Sequence, residues 1–198
     1  MIGLDPVGAA LAVPLLATQI LWINLITDSG PALAMGVDPQ TDDVMTRGPR
    51  RPTDRAIDAR MWVDVMATGL VMALATLLTL DMHLPGGLID GTQGLPGART
   101  AAFTTLVLAQ LFNCFNARSE MTSAFRHLFV NRWLWGAIAV SLLLQIAVVH
   151  TGFLNLAFGT VPLTIGQWAG CAALASLVLW VSELRKLLYR RQHRRAPT

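Results

Sequence analysis

Asn24, Thr27 and Asp28 offer an amide, a hydroxyl and a carboxylate at i, i+3 and i+4, a spacing that puts all three on one stripe of an α-helix. The residues around them are apolar, with V-P-L-L-A-T-Q-I-L-W-I running from Val13 to Ile23. A carboxylate inside such a segment carries a large desolvation cost, which marks it as a functional position. Gly30 and Pro31 follow at once. Pro31 has no N–H and its ring clashes one turn back, so it should free carbonyls in the turn Ile26–Asp28 or kink the helix there. A broken helix at mid-membrane, offering side-chain and backbone oxygens, is how many transporters build a cation site.

These oxygens suit a hard cation, Ca²⁺ or Mg²⁺, whereas a soft transition metal would want Cys or His. Calcium takes about six to eight oxygen ligands, and this helix supplies three side chains. Gln110 and Asn113, at i and i+3 on a later apolar segment, could add two amide oxygens. The shell would still be open. The plainer alternative has Asp28 protonated or paired, with Asn24 and Thr27 bonding neighbouring helices.

The elements that must position these residues follow from composition. Of 198 residues, 54% are hydrophobic and 14% charged, against about 25% charged in a soluble domain. That excludes a disordered chain, a disulfide scaffold and a nucleic-acid-binding domain, and it points to the lipid bilayer as the solvent. Five apolar segments stand out, at about 9–35, 61–82, 101–116, 133–149 and 166–188. Each is long enough, or nearly so, to cross a bilayer as a helix, and in hydrocarbon a lone segment must satisfy its own backbone. The expectation is an all-α, polytopic membrane bundle of five transmembrane helices forming one domain over 1–198. Loop 151–165 is uncharged and is expected to be a plain connection.

Charge sets the orientation. Of 15 Lys and Arg residues, all but Arg99 fall in loop 36–60, loop 117–132 or the segment from Arg185 onward. The positive-inside rule puts those regions in the cytoplasm and the N-terminus outside. An uncharged start that must cross the membrane with no helix ahead of it reads as the tail end of something larger.

Other polar residues suggest structural roles. Asp64, Asp81 and Glu183 lie near span ends, where interfacial placement or ion pairing is expected. Gln145 should be an interhelical hydrogen-bond partner. Cys114 and Cys171 are far apart in apolar runs and read as small buried side chains. His83, His127, His150 and His193 have no metal-ligand spacing, and Gly166-x-x-x-Gly170 permits close helix packing. The only lysine, Lys186, is followed by Leu187, so there is no G-x-x-x-x-G-K-[ST] phosphate loop. No catalytic constellation is visible, and no cofactor site.

Two blocks carry a family resemblance. L-W-I-N-L-I-T-D-S-G-P-A-L-A-M-G (Leu21–Gly36), followed by M-T-R-G-P-R-R-P (Met45–Pro52), resembles the sixth transmembrane helix and following loop of P-type cation-transporting ATPases. The likeness is greatest to Ca²⁺-ATPases of the sarco/endoplasmic-reticulum type and their bacterial relatives. Q-L-F-N-C-F-N-A-R-S-E (Gln110–Glu120) resembles the end of their eighth helix. The resemblance makes Asn24, Thr27 and Asp28 sixth-helix ion ligands. Plasma-membrane calcium pumps carry Gln where Gln110 stands and two-site pumps carry Glu, which implies one transported ion per cycle.

The resemblance also implies what must come from elsewhere. The family phosphorylates an Asp in D-K-T-G-T, and that motif is not in this sequence. Helices one to five, with the nucleotide and actuator domains, would be the missing N-terminal half, and Mg-ATP would act only in the complete pump. The expected function is therefore half of the ion pocket of a Ca²⁺-like pump, as a fragment inactive alone, in the plasma membrane of a bacterium. The alternatives are a non-enzymatic membrane subunit that assembles with a separate ATPase half, and an independent cation channel or carrier using Asp28.

Overall fold

A computed structural model describes residues 14–37, 59–86, 91, 94–117 and 131–195. Among them the chain is all-helical, with no strand. The helices are α1 (Ala17–Ile23), a π-helical segment (Asn24–Ser29), α2 (Gly30–Gly36), α3 (Ala59–His83), α4 (Leu95–Ala117), α5 (Arg132–His150), α6 (Gly152–Phe158) and α7 (Ile165–Arg195). At 1.5 Å per residue the 25 residues of α3 reach about 37 Å, more than the hydrocarbon thickness of a bilayer.

Among the described residues three helices are long and apolar enough to cross a membrane: Met61–His83, Arg132–His150 and Ile165–Leu188. They coincide with the second, fourth and fifth expected segments. The third segment differs in a revealing way. Helix α4 starts at Leu95, six residues before the expected boundary, and carries Arg99 and a row of threonines. It is also the most enclosed helix, buried from Gly97 through most of its length to Cys114. It packs against α7 and α3, which also touch each other. Surrounded by protein, α4 can be less apolar than its neighbours and still avoid lipid.

Two further expectations are revised. The first segment was expected to free carbonyls in the turn Ile26–Asp28 or to kink there; the chain stays helical to Gly36, and the interruption takes the form of a six-residue π segment. Residues 1–13, which include the start of that segment, and most of loops 36–60 and 117–132, lie outside the described residues. Loop 151–165 is not a plain connection, because it holds α6, with Gly159 at φ 62° ending it in the left-handed conformation that glycine adopts freely.

The core is built from small and branched residues. Ala101, Leu108, Ala109, Cys171, Ala175 and Val178 join α4 to α7. Ile23, Phe103, Val107, Leu111 and Val148 join α1 to α4 and α5, and Ala34, Cys114 and Leu134 close the other end of that seam. Both cysteines are buried and outside any disulfide, as small apolar side chains would be.

At one end of the bundle, charges pair. Arg185 of α7 forms an ion pair with Asp64 of α3 and donates a second bond from Nη1 to the Asp64 carbonyl at 3.3 Å. Glu183 and Lys186, both buried, pair at 3.7 Å on α7. These contacts account for Asp64 and Glu183 as the sequence suggested.

Candidate functional site

The π segment spans Asn24–Ser29, which includes the three candidate ligands of the first helix. In a π turn the N–H of residue i bonds the carbonyl five residues back. Pro31 would therefore serve Ile26, and it has no N–H to give. The Ile26 carbonyl finds its donor elsewhere: Ser141 Oγ on α5 donates to it at 3.1 Å. A hydroxyl from a neighbouring helix thus replaces the donor that proline removes, and the chain need not unwind.

The wider turn also changes which side chains share a face. An α-helix would put Asn24 and Thr27 on one stripe, but a π turn holds more residues, so each step rotates less about the axis. Thr27 is buried, 3% exposed, whereas Asn24 is exposed. The backbone of Asp28 lies in the same segment, while its side chain falls outside the description. Asn113 is half-buried, one turn beyond Gln110 on α4.

Thr27 and Gln110 do meet. The Thr27 hydroxyl contacts Gln110 Oε1 and also donates to the Ile23 carbonyl at 2.6 Å. Three oxygens thus gather around one hydroxyl proton, from a backbone carbonyl, a threonine and an amide. The Thr27 hydroxyl stands between a backbone carbonyl and an amide, neutral oxygen groups of the kind a hard cation takes as ligands. No group of three or more His, Cys, Asp or Glu that could hold a metal occurs among the described residues.

Several residues brace the segment, and of these the sequence singled out Gln145 alone. Gln145, expected to bond between helices, is fully buried; it accepts from Trp22 Nε1 at 3.2 Å and donates to Thr104 Oγ1 at 3.3 Å. This amide ties α1, α4 and α5 together next to the π segment. Ser141 stands four residues before it, on the same face of α5, and that i, i+4 polar pair in an apolar run was the available signal.

Both ends of the first helix are also held. At N3 of α1, Gln19 accepts from the Leu16 N–H at 3.0 Å and donates to the Phe158 carbonyl at 3.0 Å. At the other end, Asn131 caps α5 by accepting from the Leu134 N–H at 3.0 Å, and it donates to the Ala34 carbonyl at 2.8 Å.

The histidines take other roles. His83 Nδ1 lies 2.7 Å from the Thr79 carbonyl, and His150 Nε2 accepts from Trp168 Nε1 at 3.2 Å. His127 and His193 lie outside the described residues or have side chains that do.

Comparison with known proteins bears on this arrangement. Residues 12–188 match the family described as "Cation transporting ATPase, C-terminus". The chain is 38% identical over 173 residues to the calcium-transporting ATPase of Bacillus subtilis, covering 86% of this chain and 19% of that protein. It is 33% identical over 191 residues to the probable cation-transporting ATPase F of Mycobacterium bovis, covering 96% of this chain and 21% of the relative. It is 38% identical over 166 residues to the plasma membrane-type calcium-transporting ATPase 12 of Arabidopsis thaliana, covering 83% and 16%. The chain thus spans about a fifth of the length of the curated relatives it matches.

Proposed function

We propose, from a chain that belongs to the C-terminal family of cation-transporting ATPases, that it supplies five membrane-spanning helices and half of the ion pocket of a P-type pump. Ca²⁺ is the transported substrate. The reading rests above all on the convergence of the Ile23 carbonyl, the Thr27 hydroxyl and the Gln110 amide oxygen beside the π segment that carries Asp28.

In this reading Asp28 provides the negative charge and Thr27 and Gln110 provide neutral oxygens. Asn24 lies on the side of the helix that the described residues leave open, and it completes the shell with oxygens from helices outside this chain. Asn113 is the remaining amide, one turn along α4 from Gln110. The spans run with the N-terminus outside and the basic loops and C-terminus in the cytoplasm, as the charge asymmetry supports. Phosphorylation and nucleotide binding belong to domains outside this chain, so alone it moves no ion against a gradient.

The role of this chain's residues is to hold and release the ion. A π segment stabilised by one hydroxyl from α5 can tighten or relax with small helix movements, because its hydrogen bonds are not those of a regular α-helix. The loop after Gly36, which lies largely outside the described residues, would transmit movement of the phosphorylation domain.

The test is a chimera in which residues 12–188 replace the matching part of the Bacillus subtilis calcium-transporting ATPase. ATP-driven ⁴⁵Ca²⁺ uptake into vesicles should survive the exchange, and Asp28→Asn or Thr27→Val should abolish or strongly weaken it. Normal uptake with Asp28→Asn would overturn the assignment.

A further inference from the structure

Helix α6 is the element the ion pocket does not use. It is seven residues long, lies between two helices long and apolar enough to span a membrane, and has no charged residue from Thr151 to Gln167. Its two sides differ in contact and not in polarity. Leu154 and Phe158 pack on the cluster around Ile23, Phe103 and Val148, and the Phe158 ring meets Trp22 edge-on at 4.9 Å. Phe153 and Leu156, at i and i+3, are 80% and 87% exposed.

The hydrogen bonds fix how deep α6 sits. After Gly159 the chain turns back, and Thr160 Oγ1 donates to the carbonyl of Val148, two residues inside the end of α5. With its amide nitrogen turned to the same terminus, Asn155 also donates to the Val148 carbonyl, at 2.7 Å. The Val161 N–H donates at 3.1 Å to Thr100 Oγ1, five residues inside α4. Phe158 reaches Trp22, which in turn bonds Gln145, five residues inside α5. This segment therefore runs beside the terminal turns of the spanning helices and does not project beyond them.

Its backbone is equipped for that depth. Thr151 N–H bonds the Ala147 carbonyl at 2.8 Å, Asn155 N–H the Thr151 carbonyl at 2.9 Å, and Thr160 N–H the Asn155 carbonyl at 3.1 Å. Unsatisfied backbone groups are what keep ordinary loops out of hydrocarbon. The His150–Trp168 pair, with rings stacked at 6.3 Å, sits where α5 ends and α7 begins, as aromatic residues do at a membrane interface.

We propose that α6 is a re-entrant helix whose Phe153–Leu156 side is covered by lipid acyl chains, continuous with the exposed apolar sides of α5 and α7, while its other side clamps the first helix through Gln19 and Trp22. The inference rests on the reading that α5 and α7 span the bilayer, and it does not need the ion pocket. A lipid-covered clamp at one end of the π-interrupted helix would hold that end still while the rest moves.

Nitroxide labels at Phe153→Cys and Leu156→Cys test it, in the full chain in phosphatidylcholine–phosphatidylglycerol vesicles, with the unlabelled-site background taken from the parent chain. Labels at Leu143→Cys on α5 and Leu177→Cys on α7, both exposed in the structure, report separately on spanning. Collision with oxygen should exceed collision with a water-soluble nickel chelate severalfold at all four positions. Nickel access at 153 and 156 with oxygen preference at 143 and 177 would overturn the re-entrant helix alone. Shelter from both agents at 153 and 156 would overturn it in favour of a protein partner. Nickel access at 143 and 177 would overturn the spanning reading, and the proposal with it.

Discussion

The Ser141 hydroxyl donates to the Ile26 carbonyl at 3.1 Å, across from one helix to the next. The bond joins α5 to the turn that Pro31 leaves short of a backbone donor, so the shape of the candidate ion segment depends on a residue in another span.

Replacing Ser141 with Ala should remove that donor without altering size much. The expected loss is about 1 kcal/mol, the range of interhelical hydrogen bonds in membranes, because the alternative for the Ile26 carbonyl is no partner. Equilibrium unfolding in mixed detergent micelles measures it. An unchanged midpoint would show that the π segment does not need this bond.

Trp22 and Gln145 should behave as a coupled pair. Gln145→Leu leaves the Trp22 indole N–H and the Thr104 hydroxyl without their partner, at a cost of about 1–3 kcal/mol for a buried donor left unsatisfied. Trp22→Phe removes the indole donor, while Thr104 accepts from Gln145. A double-mutant cycle should therefore show the combined variant to be less destabilised than the sum of the singles.

Asn131 joins a helix start to a helix end. Asn131→Ala removes the cap of α5 and leaves the Ala34 carbonyl unpaired, an expected loss of about 1–2 kcal/mol. Amide hydrogen exchange gives the local readout. The Leu134 amide should exchange markedly faster, while amides in the middle of α4 should keep their protection.

Gly159→Ala should weaken the turn that ends α6. A Cβ there would stand 2.7 Å from Leu16 Cδ1, but that atom is the far end of a flexible side chain and can shift. The larger cost is the positive φ of 62°, about 1–2 kcal/mol for a residue other than glycine. The melting temperature should fall in detergent, and Gly136→Ala, at an open position on α5, should not lower it.

Much of this could be read in advance where the signal was long. The run from Met61 to Met82 became helix Ala59–His83, and Gln145 proved to be the interhelical partner its isolated polarity suggested. The short features were not readable. Seven mostly apolar residues such as those of α6 fit a loop, a helix or a strand equally well, because periodicity has no room to show itself. Asn24 and Thr27 share a stripe only if the turn is α-helical, and nothing within Leu21–Gly36 says that it will be π-helical. The lower apolarity of α4 became intelligible only once α3 and α7 were seen around it.

What the residues alone determined is the solvent and the chemistry: long apolar runs that need a bilayer, and hard oxygen donors beside a Gly-Pro pair. Tertiary packing decided how the Pro31 defect resolves and which donors meet. The physical reason is that proline dictates which N–H is absent but not what replaces it. The replacement comes from Ser141, more than a hundred residues away, and only folding brings it there.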